Sequence, residues 1–240
     1  MEWKERLIEI IGMFTLGEVL RFEEKYDEQF HALKYLYSKT KSPSVFLSLV
    51  VLNALSSYQI SCNGERYWWE FSRYFAGKSI ATYQIVDAFM RFLHSSRCNN
   101  RLLEQKIQRV KKVSFLLIKR TKNPDWLLRN QAIFAKEIAR ALNSSTESKT
   151  IAFAIKMLNY ALRIITGKNF PAPKSIPIPV DLRIRKLSKI LGIEKPKKFW
   201  HEVSTHTGIP PLHIDSLLWT GTRLARDESL VLSLLEEKVR

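Results

Sequence analysis

The chain carries the stretch S-S-T-E-S-K-T-I-A-F-A-I-K-M-L-N-Y-A-L-R-I-I from Ser144 to Ile165, followed by a proline-rich segment that ends I-P-I-P-V-D at Asp181. A polar run before Lys149 and an apolar run after it predict a helix that begins at this lysine. Asp181 follows proline and valine and precedes L-R-I-R-K-L, which is the position of a helix N-cap. The stretch therefore predicts one helix that opens on a lysine and another that opens on an aspartate.

The apolar periodicity of the whole chain is helical. Apolar residues recur mostly at threes and fours in three runs, namely Leu7, Ile8, Ile11 and Phe14, then Phe30, Leu33 and Tyr37, then Ile133, Ala135, Ile138 and Leu142. Most of the 8 glycines and 9 prolines lie between such runs, and strand-like alternation is hard to find. We therefore predict an all-α chain of about eleven to thirteen helices.

One connector between the predicted helices is longer than the others. The segment 166–180 is proline-rich, so it is expected to be stiff and extended rather than a flexible tether. The 240-residue length allows one large domain or two lobes. Because a stiff connector holds its two flanks at a set distance, we expect both flanks to belong to a single folded unit.

The composition indicates the kind of partner. Lysine and arginine number 39 against 23 acidic residues, giving a formal net charge of +16. Such an excess favours a polyanion, most commonly nucleic acid. An acidic membrane surface is the rival, but the longest apolar run, from Val45 to Leu55, is interrupted by Ser48 and Asn53 and predicts a buried helix.

Several other classes are disfavoured. The charged, amphipathic N-terminus has no signal-peptide pattern, so an intracellular protein is expected. Two cysteines, Cys62 and Cys98, are too few for a disulfide framework or a four-cysteine iron–sulfur cluster. His201, His206 and His213 show no metal-ligand spacing, so we expect neither a metal nor a cofactor.

The chemistry of the lysine and aspartate allows two interpretations. A deprotonated lysine amine can form a Schiff base, and a fixed carboxylate can deprotonate it or balance positive charge. Partial burial, the positive end of its own helix, or Lys156 seven residues on could each favour the neutral amine of Lys149. The alternative is a solvated surface lysine, with Asp181 serving as a helix cap alone.

A set of motifs resembles the archaeal 8-oxoguanine DNA glycosylases of the helix-hairpin-helix superfamily. The set comprises the hairpin N-S-S-T-E-S at 143–148, K-T-I-A-F-A-I-K-M at 149–157, I-P-I-P-V-D at 176–181 and D-S-L-L-W at 215–219. The similarity extends to W-W-E-F at 68–71. The hairpin lacks the glycines usual in the wider superfamily. We therefore expect its backbone to bind phosphate in a less usual way, or the side chains of Ser144, Ser145 and Thr146 to do so.

The resemblance implies a fold and a reaction. The fold is a single domain of two lobes, about 25–165 with the hairpin and 1–24 with 166–240. Lys149 would attack the sugar C1′, 8-oxoguanine would leave, and the Schiff base would permit β-elimination, with Asp181 assisting and no cofactor. A monomer acting in the cytoplasm on nucleoid DNA is expected.

The resemblance also implies residues that bind the flipped base. Phe153 would stack on one face of the base, with Lys156 lining the pocket. Trp219 would stack on the other face, and Asp215 would form a hydrogen bond to the edge of the base. Gln29 is the candidate for the Watson–Crick edge, unless it faces solvent. One of the adjacent Trp68 and Trp69 would be core and the other near the pocket. These roles are carried by the following residues: Gln29, Trp68, Trp69, Phe153, Lys156, Asp215 and Trp219.

Two basic stretches are candidates for phosphate contacts, 101–122 and 182–198, and the second is preferred because it begins beside Asp181. A non-catalytic helical nucleic-acid-binding protein would share the charge without the reactive lysine. A helical scaffold with an aromatic protein-binding surface is a third possibility. Loss of turnover on removing Lys149 separates the enzyme from both.

Overall fold

The structure, a computed structural model, describes residues 3–40, 42–225, 231, 233 and 237. Across these ranges the chain forms thirteen α-helices and one short 3-10 helix, with no strand. The all-α prediction is confirmed. The helices are α1 Trp3–Met13, α2 Leu16–Tyr26, α3 Glu28–Lys39, α4 Pro43–Ser56, α5 Gly64–Phe75, α6 Ile85–Ser95, α7 Leu103–Thr121, α8 Pro124–Arg129, α9 Gln131–Ala141, α10 Lys149–Thr166, α11 Leu182–Ile190, α12 Pro196–Thr207 and α13 Pro211–Ala225, with the 3-10 helix at Thr82–Gln84.

The chain divides into two compact units. The first comprises Met1–Asp27 with Pro171–Arg240, and the second comprises Glu28–Phe170. No helix within the described ranges combines the length and apolarity needed to cross a bilayer. The same ranges contain no cluster of three or more His, Cys, Asp or Glu side chains that could hold a metal ion.

The second unit is built around two helices that are buried nearly all round. Every residue of α4 from Val45 to Ser56 is buried, as the sequence predicted. Helix α10 is buried from Ala154 to Arg163 and packs along α4. A helix that is apolar on all sides is stable only when other helices surround it. Helices α3, α7 and α9 contact this pair, so the residues of α10 are held from several directions.

An aromatic cluster fills the space between α5 and α6. Phe71 packs edge-on against Phe75, Phe89 and Phe92, at centroid distances of 5.3 to 6.5 Å. Phe75 and Phe89 are nearly parallel, at 7° between their planes. Such ring contacts add stability beyond the buried area itself. The cluster fixes the orientation of α5, which carries both candidate tryptophans.

A buried polar chain runs beside this cluster. The Tyr67 hydroxyl donates to Oδ1 of Asn53 at 2.5 Å, and Nδ2 of Asn99 donates to the Tyr67 oxygen at 2.7 Å. Nζ of Lys106 donates to Oδ1 of Asn99. Lys106 is fully buried, and this burial lowers the pKa of its amine from 10.5 to about 8.

The lowered pKa of Lys106 makes stability depend on pH. Between about pH 8 and pH 10.5 the unfolded chain keeps a proton that the folded protein has released, so this group's contribution to stability rises with pH. We expect the stability of the native protein relative to Lys106→Met to increase across this interval, because the variant lacks the group. Urea denaturation at pH 7.5, 8.5 and 9.5 measures the difference; a constant or falling difference would contradict the pKa assignment.

The two cysteines form a disulfide. Cys62 and Cys98 are joined with their Cα atoms 5.2 Å apart, which the cysteine count alone did not predict. Ser61 reinforces the link, since its backbone N–H donates to the Cys98 carbonyl at 2.8 Å. Glu70 accepts hydrogen bonds from the backbone N–H groups of Arg97 and Cys98 at 2.7 and 3.3 Å. The loops after α4 and after α6 are therefore tied together.

The first unit has its own apolar core, formed by α1, α2, α11, α12 and α13. Trp200 is its largest fully buried side chain. Helix α2 begins with a capping box in which Thr15 and Glu18 satisfy one another's backbone N–H groups. The Thr15 hydrogen bonds lower the pKa of the Glu18 carboxyl. Core members include Leu7, Ile11, Val19, Ile184, Leu187, Val203, Ile214 and Leu217.

A buried histidine anchors the proline-rich connector within the first unit. The Ala172 backbone N–H donates to Nε2 of His213 at 2.9 Å, so Nε2 carries no proton. Nδ1 therefore holds the ring proton and donates it to Glu23 at 2.7 Å. The segment 168–180 forms no helix or strand and turns at 174–176, whereas Thr166, the first residue of the expected connector, still belongs to α10.

Ile133 does not share the buried face of α9. It belongs to the apolar run that predicts this helix but is 49% exposed, whereas Phe134 is fully buried beside Ala135 and Ile138. Because Ala135 and Ile138 are three apart, residues 134 and 131 share their face more closely than 133 does. The helix was predicted correctly, and Ala135 and Ile138 of the run are buried, but Ile133 lies away from their face.

Candidate active site

The hairpin between α9 and α10 turns without glycine. Asn143 takes the left-handed conformation, with φ of 48°. The Ser144 N–H donates to the Ala139 carbonyl at 2.9 Å, and the Asn143 N–H donates to the Arg140 carbonyl at 3.2 Å. These two bonds make a Schellman motif, in which asparagine is the usual substitute for glycine. The missing glycine thus has a local physical explanation.

The rest of the hairpin is a polar turn. The Ser148 N–H donates to the Ser145 carbonyl at 2.9 Å, and the Ser145 hydroxyl accepts from the Glu147 N–H at 3.1 Å. The Ser145 side chain therefore shapes the turn itself. Ser144 and Ser145 are exposed, and Thr146 is half-buried.

Lys149 is the first residue of α10 and is exposed. The partial burial considered from the sequence is therefore not found for this side chain. The first turn of α10 also lacks acidic residues. The amine is thus accessible to a molecule approaching the hairpin, at the end of a helix whose remaining length is locked into the core of the second unit.

Phe153 and Lys156 follow on the same helix. Phe153 is half-buried while its neighbours Ala152 and Ala154 are fully buried. The rings of Phe153 and Trp68 meet edge-to-face with centroids 6.0 Å apart. Lys156 is 2% exposed, and its Nζ lies 5.8 Å from the Tyr160 ring centroid.

The adjacent tryptophans of α5 have different environments. Trp68 is a core residue, 1% exposed, and its ring contacts Phe71 and Phe153. Trp69 is half-buried, and its indole N–H donates to the Glu28 carboxylate at 2.9 Å. The prediction that one of the pair is core is confirmed, and that residue is Trp68.

Gln29 lies at the second position of α3, next to Glu28, which binds Trp69. Its side chain is 2% exposed, so the solvent-facing alternative is wrong. A buried amide needs hydrogen-bond partners for its donors and acceptor. Gln29 is therefore a buried polar side chain of the second unit that needs hydrogen-bond partners there.

In the first unit, Asp181 is the N-cap of α11, as predicted. Its Oδ1 accepts a hydrogen bond from the Ile184 N–H at 2.9 Å, and the side chain is half-buried. The cap fixes the orientation of the carboxylate. The next residue, Leu182, is 75% exposed, so the first turn of α11 reaches the surface.

Asp215 and Trp219 lie one turn apart on α13. Asp215 is 3% exposed and Trp219 is half-buried. The guanidinium carbon of Arg183 lies 3.6 Å from the Trp219 ring centroid, and its Nη1 donates to the Trp219 carbonyl at 3.0 Å. One face of the indole is therefore covered by a cation.

Sequence reasoning missed two arginines, Arg183 and Arg109. Each lies in a basic stretch whose charges would ordinarily be solvated, yet each contacts a candidate residue or its neighbour. Arg183 stacks on Trp219, and Nη2 of Arg109 donates to the Thr150 hydroxyl at 3.1 Å, beside Lys149. The residue spacing within each basic stretch could not predict either contact, because the partners are 36 and 41 residues away in the chain.

Comparisons with known proteins agree with one another. A family model, AGOG: N-glycosylase/DNA lyase, matches residues 8–240. A relative from Thermococcus kodakarensis named N-glycosylase/DNA lyase is 42% identical over 222 residues, 91% of this chain and 83% of that protein. One of the same name from Methanopyrus kandleri is 42% identical over 209 residues, 87% of this chain and 85% of that protein.

The fold agrees with a solved structure. The 8-oxoguanosine complex of Pa-AGOG, the 8-oxoguanine DNA glycosylase of Pyrobaculum aerophilum, superposes with a TM-score of 0.83 at 28% identity. The similarity covers 97% of this chain and 95% of that one. Sequence and fold therefore match over the same, nearly complete length.

Proposed function

Because this chain belongs to the AGOG family of N-glycosylase/DNA lyases, we propose that Lys149 is its nucleophile and Asp181 its catalytic carboxylate. The protein is a bifunctional enzyme that removes 8-oxoguanine from DNA and cleaves the strand at the resulting abasic site. A non-catalytic binder, the alternative left open by composition, does not fit a family of enzymes. The observation that supports Lys149 most directly is its exposed amine at the start of α10.

The chemistry assigned to Lys149 proceeds in two stages. The neutral amine attacks C1′ of the damaged nucleoside, a C–N bond forms, and the bond from C1′ to the base breaks as the base leaves with the electron pair. Ring opening then gives a protonated Schiff base, which makes the C2′ proton acidic. Loss of that proton expels the 3′ phosphate by β-elimination. Neither stage uses a cofactor.

Asp181 serves this chemistry as a carboxylate in a fixed place. It accepts the proton that Lys149 must lose, or it stabilises the positive charge that develops on the sugar as the base leaves. Capping supports the proposal, since the hydrogen bond from Ile184 fixes the orientation of the side chain. A rigid carboxylate needs little reorganisation during the reaction.

The base is bound outside the double helix. A damaged base in a duplex is unreachable, so the nucleotide is flipped out at a cost of a few kcal/mol. We assign stacking to Phe153 and Trp219 and polar recognition to Gln29, Lys156 and Asp215. Buried polar side chains suit this task because they distinguish ligands by the hydrogen bonds each can satisfy.

The two tryptophans of α5 support this pocket in different ways. Trp68 contacts Phe153 and, as a core residue, holds that ring in place. Trp69 keeps part of its ring accessible and is tied to Glu28, the neighbour of Gln29. We therefore assign Trp68 a supporting role and Trp69 the position nearer the base.

An excision assay tests the function. A duplex oligonucleotide with one 8-oxoguanine is incubated with the enzyme without metal ions, and both the free base and the strand products are quantified. The free base together with a β-elimination product, formed without heat or alkali, is expected. Free base with an intact strand would reject the Schiff-base mechanism and leave a hydrolytic glycosylase.

The basic residues of α11 are proposed to contact DNA phosphates. Arg185, Lys186 and Lys189 are exposed on the helix that Asp181 caps. Each phosphate contact contributes about 0.9 to the slope of log K against log salt. Replacing all three by glutamine is expected to reduce that slope by up to about 2.7, measured by fluorescence anisotropy at several salt concentrations.

The matched control changes three exposed lysines of the other basic stretch. Lys111, Lys112 and Lys119 lie on α7, and their glutamine variants remove the same formal charge. A smaller change in slope is expected, because this stretch does not adjoin Asp181. Equal changes for both triples would show only a net-charge effect.

We propose that the enzyme acts as a monomer on nucleoid DNA in the cytoplasm.

A further inference from the structure

The first turn of α10 is not capped in the usual way. Ser148 occupies the N-cap position, but its side chain makes no hydrogen bond to the backbone of the turn. Its hydroxyl instead lies 3.2 Å from the Thr150 hydroxyl. A serine N-cap ordinarily fixes the turn by accepting a backbone N–H, so this turn depends on other contacts.

Arg109 supplies such a contact from α7. Its Nη2 donates to the Thr150 hydroxyl at 3.1 Å, and both side chains are half-buried. Thr150 directly follows Lys149 in the chain. The guanidinium is planar and keeps its N–H groups in fixed directions, so it restrains the hydroxyl more tightly than a lysine amine would.

Arg109 is in turn held by an aromatic ring. The guanidinium carbon lies 5.4 Å from the centroid of Tyr58, and Nζ of Lys106 lies 5.0 Å from the same centroid. Lys106 is one turn before Arg109 on α7 and is fixed by its bond to Asn99. One turn of α7 thus presents two cations to one ring.

The residues around Arg109 sit on loops that the disulfide joins. Tyr58 lies four residues before Cys62, and Asn99 lies one residue after Cys98. The backbone bond from Ser61 to Cys98 adds a second link. A chain of contacts through Asn99, Lys106, Tyr58 and Arg109 therefore links the disulfide to the first turn of α10.

We propose that Arg109 is a positioning residue for the reaction, which fixes the first turn of α10 through Thr150 and so sets the direction of the Lys149 amine. This proposal rests on the assignment of Lys149 as nucleophile. Misplacing a reacting group by about 1 Å can cost roughly 10²-fold in rate. Arg109 does not touch the substrate in this role, so its loss should affect Schiff-base formation more than DNA binding.

The test is a double-mutant cycle of Arg109→Gln, Thr150→Val and the double variant. Schiff-base formation is followed by borohydride trapping under single-turnover conditions, on a duplex with a preformed abasic site at saturating enzyme. Each single variant is expected to slow trapping by about 10- to 100-fold, with the Kd for that duplex changed less than about twofold. The double variant is expected to be no slower than the slower single variant, since both remove one contact.

Arg109→Lys separates geometry from charge. It keeps the positive charge but loses the planar group, so it should not restore the native trapping rate. A native rate in Arg109→Lys or in Thr150→Val would overturn the proposal, as would additive losses in the double variant. A raised Kd with an unchanged saturated rate would also overturn it, because that result would mark Arg109 as a phosphate contact.

Two controls keep the outcomes distinct. Thermal unfolding of each variant shows whether the fold is retained, and Thr150→Val keeps the proposal testable if Arg109→Gln does not fold. The failure of the proposed function has a different signature, namely no adduct in the native enzyme or an adduct that persists in Lys149→Gln. A native adduct that requires Lys149, with unchanged rates in the Arg109 variants, rejects the positioning role alone.

Discussion

Lys149→Gln is expected to lower strand cleavage and base release on 8-oxoguanine DNA by roughly 10³-fold or more. Removing a nucleophile leaves only the contributions of binding and electrostatics to catalysis. Because Lys149 is exposed at the start of α10, the free energy of unfolding should change by less than about 0.5 kcal/mol. Single-turnover cleavage and urea denaturation measure the two quantities.

Lys136→Gln is the matched control for this experiment. Lys136 is an exposed lysine of α9 in the same unit, and its replacement removes the same charge. Native activity is expected in the control. Comparable losses in both variants would attribute the effect of Lys149→Gln to general electrostatic attraction of DNA and would contradict the nucleophile assignment.

Asp181→Asn is expected to lower turnover by roughly 10²- to 10⁴-fold, the range for loss of a general acid or base. Asparagine caps helices about as well as aspartate, so α11 and the stability of the protein should be retained. The variant therefore separates the two roles of this residue. Steady-state excision kinetics and thermal unfolding provide the readouts.

Thr15→Ala is the control for the capping role. It removes the side-chain cap of α2 and should cost about 1 kcal/mol of stability while leaving activity unchanged. Asp181→Ala should lose about as much stability as Thr15→Ala and about as much activity as Asp181→Asn. If Asp181→Asn retains full turnover, Asp181 is a structural cap and nothing more.

Local features of the sequence predicted the helices and the cap. The periodicity of α10 and the position of Asp181 directly after P-V and before L-R-I-R-K-L depend on residues that are neighbours in the chain, so their physics is visible in the sequence. The buried α4 was predicted for the same reason. The exposure of Ile133 on α9 was not, because which of several apolar residues is buried depends on the helices packed against it.

Long-range contacts were the part that no local pattern could predict. The disulfide joins residues 36 apart, and the Arg109–Thr150 contact joins residues 41 apart. Lys106 lies in a basic stretch that looked solvated, yet it is fully buried. The site residues came from a resemblance to a family, whereas the environments that distinguish Trp68 from Trp69 required the packed structure.

Borohydride trapping on a duplex that contains 8-oxoguanine, followed by peptide mapping of the adduct, identifies the nucleophile directly. One covalent adduct is expected, located at Lys149 and absent from Lys149→Gln. An adduct at another lysine, or base release with no adduct in the native enzyme, would contradict the nucleophile assignment.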